Sequence, residues 1–222
     1  MQIPTDLRLD PVDIEERGVL CAGSGIPARV GILLSIYFLD GWRNEKRQAL
    51  LRILEDYLSR FASDITHYQA DEGSGRHWNG EGLPEAYRNL DRIDPDDQLS
   101  YHMWRFDSED GEDASLWRIM GRGFARNNTT RPLSGVKAHF PPSFVFADPE
   151  RFLEVVRRWC DCLGAVHGSA GLGVLTIPGW EVQEPYHYPF LMHYPGLEYD
   201  AMGSYWSATR DGGMRKRGRP TG

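Results

Sequence analysis

Histidine and carboxylate side chains are the first candidates for chemistry in this sequence. Of seven histidines, His102 and His139 lie in two predicted strands and are placed to face each other. Two histidines with a nearby carboxylate can hold a metal ion that activates water, so a metal-dependent hydrolase is one hypothesis. His187 and His193 are six residues apart, which matches no standard ligand spacing. We expect ordinary hydrogen-bonded histidines and predict no catalytic residue, no metal and no cofactor.

Signature motifs of common enzyme classes do not occur in the sequence. It contains no Gly-x-Ser-x-Gly elbow, no phosphate loop, no dinucleotide fingerprint and no His-Glu-x-x-His helix. The Gly-x-Gly at residues 23–25 is followed by neither a third glycine nor a helix start. Cys21, Cys160 and Cys162 have neither Cys-x-x-Cys nor zinc spacing, which is typical of reduced thiols in a cytosolic protein.

The densest charge lies between residues 94 and 113, where eight acidic residues accompany one arginine. An acidic surface steers a basic partner towards itself and sets specificity, and aromatic residues beside it are typical of binding hot spots. The alternative is a solvated loop that keeps the protein soluble, with Trp104 in the core. We predict a protein-binding surface made of Asp94, Asp96, Asp97, Trp104, Asp107, Glu109, Asp110, Glu112 and Asp113.

Strand and helix patterns surround this acidic stretch. The first half predicts a buried strand at 30–39, an amphipathic helix at 44–61, a strand at 65–69 and a loop at 71–98 with short helical turns near 83–90. Residues 99–106 and 115–124 are predicted strands of a hairpin whose tip is acidic.

The second half repeats this order. A strand is predicted at 136–140, and a helix follows with Asp148 as N-cap, Pro149 at its first position and Gly164 at its end. A strand at 170–177 comes next. The sequence therefore predicts an α+β fold with a mixed, mostly antiparallel sheet and helices packed on it. Residues 30–69 and 136–177 form two βαβ-like halves, joined by the hairpin.

Length and charge limit the domain count and the partners. The 222 residues predict a single domain over residues 1–208 and a basic, flexible tail over 209–222. The net charge of −7 disfavours direct binding to nucleic acid or anionic membranes, although the tail itself carries +4 and is a candidate nucleic-acid contact. The N-terminal residues lack a secretory signal pattern and no apolar run is long enough to span a bilayer, so we expect a cytoplasmic protein.

Several short stretches, taken in their order, resemble the type VI secretion immunity proteins of proteobacteria. Together they span roughly residues 18–200, and each is weakly specific alone. They are Gly31-Ile-Leu-Leu-Ser-Ile-Tyr-Phe38, Lys46-Arg-Gln-Ala-Leu-Leu51, Leu54-Glu-Asp-Tyr57, Phe144-Val-Phe146, Asp148-Pro149, Gly168-Ser-Ala-Gly-Leu-Gly173 and Tyr194-Pro-Gly-Leu-Glu198. The basic end after Trp206 departs from the family pattern.

The resemblance implies a non-enzymatic protein that binds the toxin of a sibling cell and blocks its active site. Such toxins often carry a restriction-endonuclease-like nuclease domain, so the implied partner is a cognate nuclease toxin, with a homodimer as a further possibility. The family supplies no catalytic or contact residues to carry over. A nuclease presents Lys and Arg to DNA, and an acidic partner can occupy that groove in place of phosphates.

Overall fold

The structure is a computed structural model that describes residues 10–22, 25–71, 74–106, 113–128, 133–177 and 184–199. Within these residues the helices are α1 (Pro11–Arg17), α2 (Asn44–Phe61), α3 (Pro142–Ala147), α4 (Pro149–Leu163) and α5 (Glu184–His193). The strands are β1 (Val19–Ala22), β2 (Gly25–Leu39), β3 (His67–Asp71), β4 (Ser74–His77), β5 (Leu99–Trp104), β6 (Arg118–Gly123), β7 (Leu133–Phe140), β8 (His167–Thr176) and β9 (Glu198–Tyr199).

The described strands join one sheet in the order β4-β3-β5-β6-β7-β2-β8-β9, and β1 pairs with the first part of β2. Only β8 and β9 pair in parallel among the described strands, and every other neighbouring pair is antiparallel. This confirms the predicted α+β class with a mixed, mostly antiparallel sheet. None of the described helices has the length and apolar character needed to cross a membrane.

Each predicted βαβ-like half has two strands that run in the same direction, with other strands inserted between them. β2 is antiparallel to both β7 and β8, so those two strands run parallel to each other on either side of it. β2 and β3 also share a direction, but β7, β6 and β5 separate them. The strands that lie between the two strands of each half come from distant parts of the chain. The order of elements along the chain does not specify this pairing.

One face of the sheet packs against α2 and α4. Alternate residues of β2 point to this face because side chains alternate along a strand, and they meet the apolar stripe of α2 in the main core. Between the two helices, one Asp56 carboxylate oxygen accepts hydrogen bonds from Trp159 Nε1 at 2.8 Å and from Arg158 at 2.5 Å. This carboxylate therefore links α2 to α4 at the edge of the core.

Both ends of α4 form as the sequence predicts. The Asp148 side chain accepts a hydrogen bond from the N–H of Arg151 at 3.0 Å, which caps the first turn. Gly164 follows the helix with φ of 57°, a left-handed conformation that glycine adopts without a Cβ penalty. Lys46 of α2 donates from Nζ to the Leu163 carbonyl at 2.5 Å, so the start of one helix satisfies the end of the other.

The two strands of the predicted hairpin pair as expected, but the segment that connects them does not end in a free turn. β5 and β6 are antiparallel neighbours, yet β6 begins at residue 118 rather than 115. The segment before it crosses to the start of β2, where Ala114 N–H donates to the Ile26 carbonyl at 2.7 Å. At least this end of the connection is thus held against the sheet.

Other boundaries also differ from the sequence prediction. β2 begins five residues earlier than predicted, and β4 lies in the segment predicted to be loop. The short helical turns predicted in that loop are present as 3-10 helices at Glu85–Tyr87 and Leu90–Arg92. After the last predicted strand the chain forms α5, whose Phe190 is buried in a small core with residues of β2 and β8. The predicted basic tail at 209–222 lies outside the described residues.

Candidate functional site

The connection between β4 and β5, residues 78–98, carries six acidic and two basic residues. We name it the acidic connection. It contains two 3-10 helices and no other helix or strand, although it joins two strands that both pair with β3. Long connections in compact domains are usually either functional segments or linkers, and this one is held against the fold.

The second half of the acidic connection ends in a tight turn. Asp94 Oδ1 accepts a hydrogen bond from the N–H of Asp96 at 2.8 Å, and the Asp94 carbonyl accepts one from the N–H of Asp97 at 2.8 Å. All three of these residues are exposed. Short polar side chains commonly stabilise turns by such local bonds. The turn therefore presents three predicted site residues together on the surface.

A buried arginine holds this turn against the core of the protein. Arg47 of α2 is only 1% exposed, and its guanidinium donates to the Ile93 carbonyl and, at 2.7 Å, to the Asp97 carbonyl. Burial lowers the pKa of Arg47, while the charges of Asp94 and Asp97 act in the opposite direction and raise it. Arg47 therefore ties both ends of the turn to a helix of the core.

Beside the turn, one carboxylate is already paired. Asp96 accepts two hydrogen bonds from Arg126, at 3.0 and 2.9 Å. The same guanidinium lies 6.0 Å from the ring centre of Trp42. Water screens exposed ion pairs of this kind, so this one orients the groups more than it stabilises the fold. Asp94 and Asp97 are the carboxylates of this turn that form no salt bridge among the described residues.

Several cavities open along the acidic connection, and two of them have a tryptophan in their walls. One, of about 470 Å³, has Trp42, Arg47, Asp91 and Pro95 in its wall. The other, of about 310 Å³, lies at the first half of the connection and has Tyr68, Trp78, Glu81 and Glu85 in its wall. Each therefore combines tryptophan with arginine, two of the residue types enriched in interface hot spots, and has carboxylates beside them.

The remaining predicted site residues have different environments. Trp104 is 5% exposed, with its ring centre 4.5 Å from that of His102, so it occupies the core position given by the alternative interpretation. Asp113 is buried, and its Oδ1 accepts a hydrogen bond from the N–H of Ile26 at 2.7 Å. This hydrogen bond anchors the end of the segment between β5 and β6 to β2. Four predicted residues lie outside the described ranges, namely Asp107, Glu109, Asp110 and Glu112.

The two histidines of the metal hypothesis lie on the same face of the sheet, but other groups contact their rings. Arg118 Nε donates to His102 Nε2 at 2.7 Å. His139 Nδ1 lies 3.2 Å from the carbonyl oxygen of Ser115. In the part of the chain that the structure describes, no three His, Cys, Asp or Glu residues are grouped so as to hold a metal ion.

Sequence reasoning missed several residues of these surfaces. Trp42 and Arg47 lie in or beside α2, and Tyr68 and Trp78 lie in or beside the edge strands. A usable signal was the unusual length of the predicted loop, because long loops without regular structure tend to carry function.

Comparison with known proteins identifies the relatives of this chain. A family model described as TsiV, type VI immunity for VRR-NUC, matches residues 49–212. The solved structure of the Pseudomonas aeruginosa T6SS protein PA0821 is similar, with a TM-score of 0.73 and 18% sequence identity over 83% of this chain and 52% of that chain. The chain thus spans about half the length of that protein, and at this identity the likeness concerns the fold alone. No curated protein matches the sequence.

Proposed function

This chain belongs to the TsiV family of type VI immunity proteins for VRR-NUC, and from that membership we propose that it binds and neutralises a cognate nuclease toxin without catalysing a reaction itself. The observation that carries the proposal is the family match over residues 49–212, which includes the whole acidic connection. The partner is the toxin protein rather than nucleic acid or a membrane.

The acidic connection supports this role through its charge and its rigidity. A nuclease must present Lys and Arg side chains to the phosphates of DNA. Asp94 and Asp97 can meet such side chains in place of phosphates, which accelerates association and excludes the substrate. Because Arg47 holds the turn in one conformation, little ordering entropy is lost when the toxin binds. The acidic residues at 107–112 stay part of the proposed surface.

The proposed site of action is the cytoplasm, where the DNA attacked by a nuclease is found. We assign binding to a single domain over residues 1–208 and leave a homodimer as a possible state of the free protein. Co-expression of the cognate VRR-NUC toxin with this chain should restore growth, and toxin without it should stop growth. Failure of rescue by well-folded protein would contradict the proposal.

Neutralising two carboxylates tests the proposed surface. The double variant Asp94→Asn with Asp97→Asn removes two charges but keeps the side-chain oxygen that caps the turn. We expect slower association with the toxin, by several-fold at low salt, and a weaker salt dependence, because these charges steer encounter. The matched control is Glu150→Gln with Glu154→Gln, two exposed carboxylates of α4.

Association rates measured by stopped-flow fluorescence decide the outcome. If both double variants associate as fast as the wild type, the acidic turn is not the docking surface. If the control variant associates as slowly as the turn variant, the association rate depends only on net charge and no local surface is involved.

A further inference from the structure

The cavity of about 310 Å³ lies where the acidic connection leaves the edge of the sheet. Tyr68 of β3 and Trp78, which follows β4, form its aromatic wall. The backbone N–H of Trp78 donates to the Thr66 carbonyl at 2.8 Å. The Tyr68 ring packs edge-on against the Tyr87 ring, with 5.8 Å between their centres. The aromatic wall is therefore fixed by the sheet and by the neighbouring 3-10 helix.

Trp78 carries an unsatisfied donor in this wall. Its side chain is 5% exposed, and its Nε1 has no hydrogen-bond partner among the residues that the structure describes. Buried indole N–H groups usually find an acceptor, and leaving one unpaired costs free energy. An acceptor that a bound molecule brings within reach of this side chain would remove that cost.

The charge at the rim of the cavity indicates which kind of ligand would bind there. Glu81 and Glu85 are exposed carboxylates in the cavity wall, and Arg88 is the cation there, so the formal charge of these residues is −1. Arg88 Nε is already used on the Leu83 carbonyl at 3.3 Å. A cationic group is attracted by the carboxylates and by the faces of aromatic rings.

A specific turn presents one of these carboxylates. Glu81 stands between Gly80 and Gly82, whose φ values of 84° and 58° are in the left-handed region that favours glycine. The Glu81 N–H also donates to Asn79 Oδ1 at 3.2 Å. This backbone holds Glu81 at the mouth of the cavity.

We propose that this cavity is the anchor site for an arginine side chain of the toxin. The inference rests on the proposed function and names the chemistry of one contact. The guanidinium stacks on the Tyr68 and Trp78 rings and pairs with Glu81 or Glu85, because its planar fork suits both contacts. A neutral side chain of the same shape lacks the charge pairing and binds weakly.

The first experiment uses a small probe on the free protein. N-acetyl-arginine amide is titrated at constant ionic strength while NMR follows the indole N–H of Trp78. The neutral isostere N-acetyl-citrulline amide is the control. We expect a saturable shift with the arginine probe, a much smaller one with citrulline, and loss of the arginine effect in Glu81→Gln with Glu85→Gln. Equal shifts with both probes, or no shift at Trp78, would overturn the proposal.

The second experiment uses the cognate toxin. Glu81→Gln with Glu85→Gln should raise Kd about tenfold or more, mainly through faster dissociation, since an anchoring charge pair is removed. The charge-matched control, Glu150→Gln with Glu154→Gln, should change Kd less than about twofold. Unchanged binding by the cavity variant overturns this inference and leaves the immunity function standing. Failure of the wild type to bind toxin refutes that function, while the probe titration still decides the chemistry of the cavity.

Discussion

Substitution of Gly121 by alanine tests the packing that positions the acidic connection. Gly121 of β6 lies directly opposite Tyr101 of β5. A Cβ added to Gly121 would be 2.3 Å from Tyr101 Cζ and 2.5 Å from its hydroxyl oxygen. Tyr101 is 2% exposed, and its hydroxyl donates to the Leu50 carbonyl at 3.1 Å, so movement of the ring away from Gly121 breaks this buried hydrogen bond. The added methyl group therefore forces the Tyr101 ring, β5 or β6 to shift.

The cost follows from three contributions. Overpacking a core costs about 2 kcal/mol, and loss of the Tyr101 hydrogen bond costs about 1 kcal/mol more. The lower backbone freedom of alanine in the unfolded chain returns about 0.5 kcal/mol. We expect the free energy of unfolding to fall by about 2.5 kcal/mol, which lowers Tm by about 5–10 °C for a chain of this size.

Urea unfolding followed by circular dichroism measures this difference. The matched control is Gly171→Ala in β8, where an added Cβ meets no heavy atom within 4 Å, and we expect a change below about 0.5 kcal/mol. In a Tyr101→Leu background the Gly121 substitution should lose most of its effect, because the clashing ring is absent. An equal cost of Gly121→Ala in both backgrounds would refute the reasoning.

Two further predictions concern pH and the contact between helices. Burial raises the pKa of Tyr57 and Tyr101 above the usual range and that of Tyr87 to about 12, so the unfolded chain loses these protons first as pH rises above about 10. The free energy of unfolding should fall by about 1.4 kcal/mol per pH unit for each such tyrosine between about pH 10 and 12. Phenolate absorbance should rise together with unfolding. Ionisation of these tyrosines in protein that is still folded would contradict this. Asp56→Ala leaves the indole N–H of Trp159 unpaired and should cost about 2 kcal/mol in urea unfolding, whereas Glu55→Ala, an exposed neighbour, should cost less than about 0.5 kcal/mol. Equal losses for these two variants would show that Asp56 does not join the helices.

Local signals in the sequence were sufficient for several elements. The apolar stripe of residues 44–61 predicts α2 with its observed bounds, and Asp148, Pro149 and Gly164 predict both ends of α4. These elements depend on residues within one or two turns of each other, so a short window of sequence contains the information. The β5–β6 pairing is local in the same sense, and it was also predicted.

Part of the candidate site was also visible in the sequence. The density of acidic residues placed Asp94, Asp96 and Asp97 in the predicted binding surface, because charge is a property of composition. The contacts of those charges were not visible. Arg47 is 46 and 50 residues from the carbonyls it holds at Ile93 and Asp97, and Trp78 reaches its cavity only after β3 and β4 have paired.

The sequence by itself determined the acidic character of this protein, its two long helices α2 and α4 and its resemblance to the immunity family. Only the tertiary structure decided which acidic residues stay at the surface. Asp94 is exposed on a turn, whereas Asp113 is buried against β2 and Trp104 lies opposite Arg118 within the sheet. The physical reason is that strand pairing between distant segments sets which face each side chain points to, and a shift of one residue would reverse that choice.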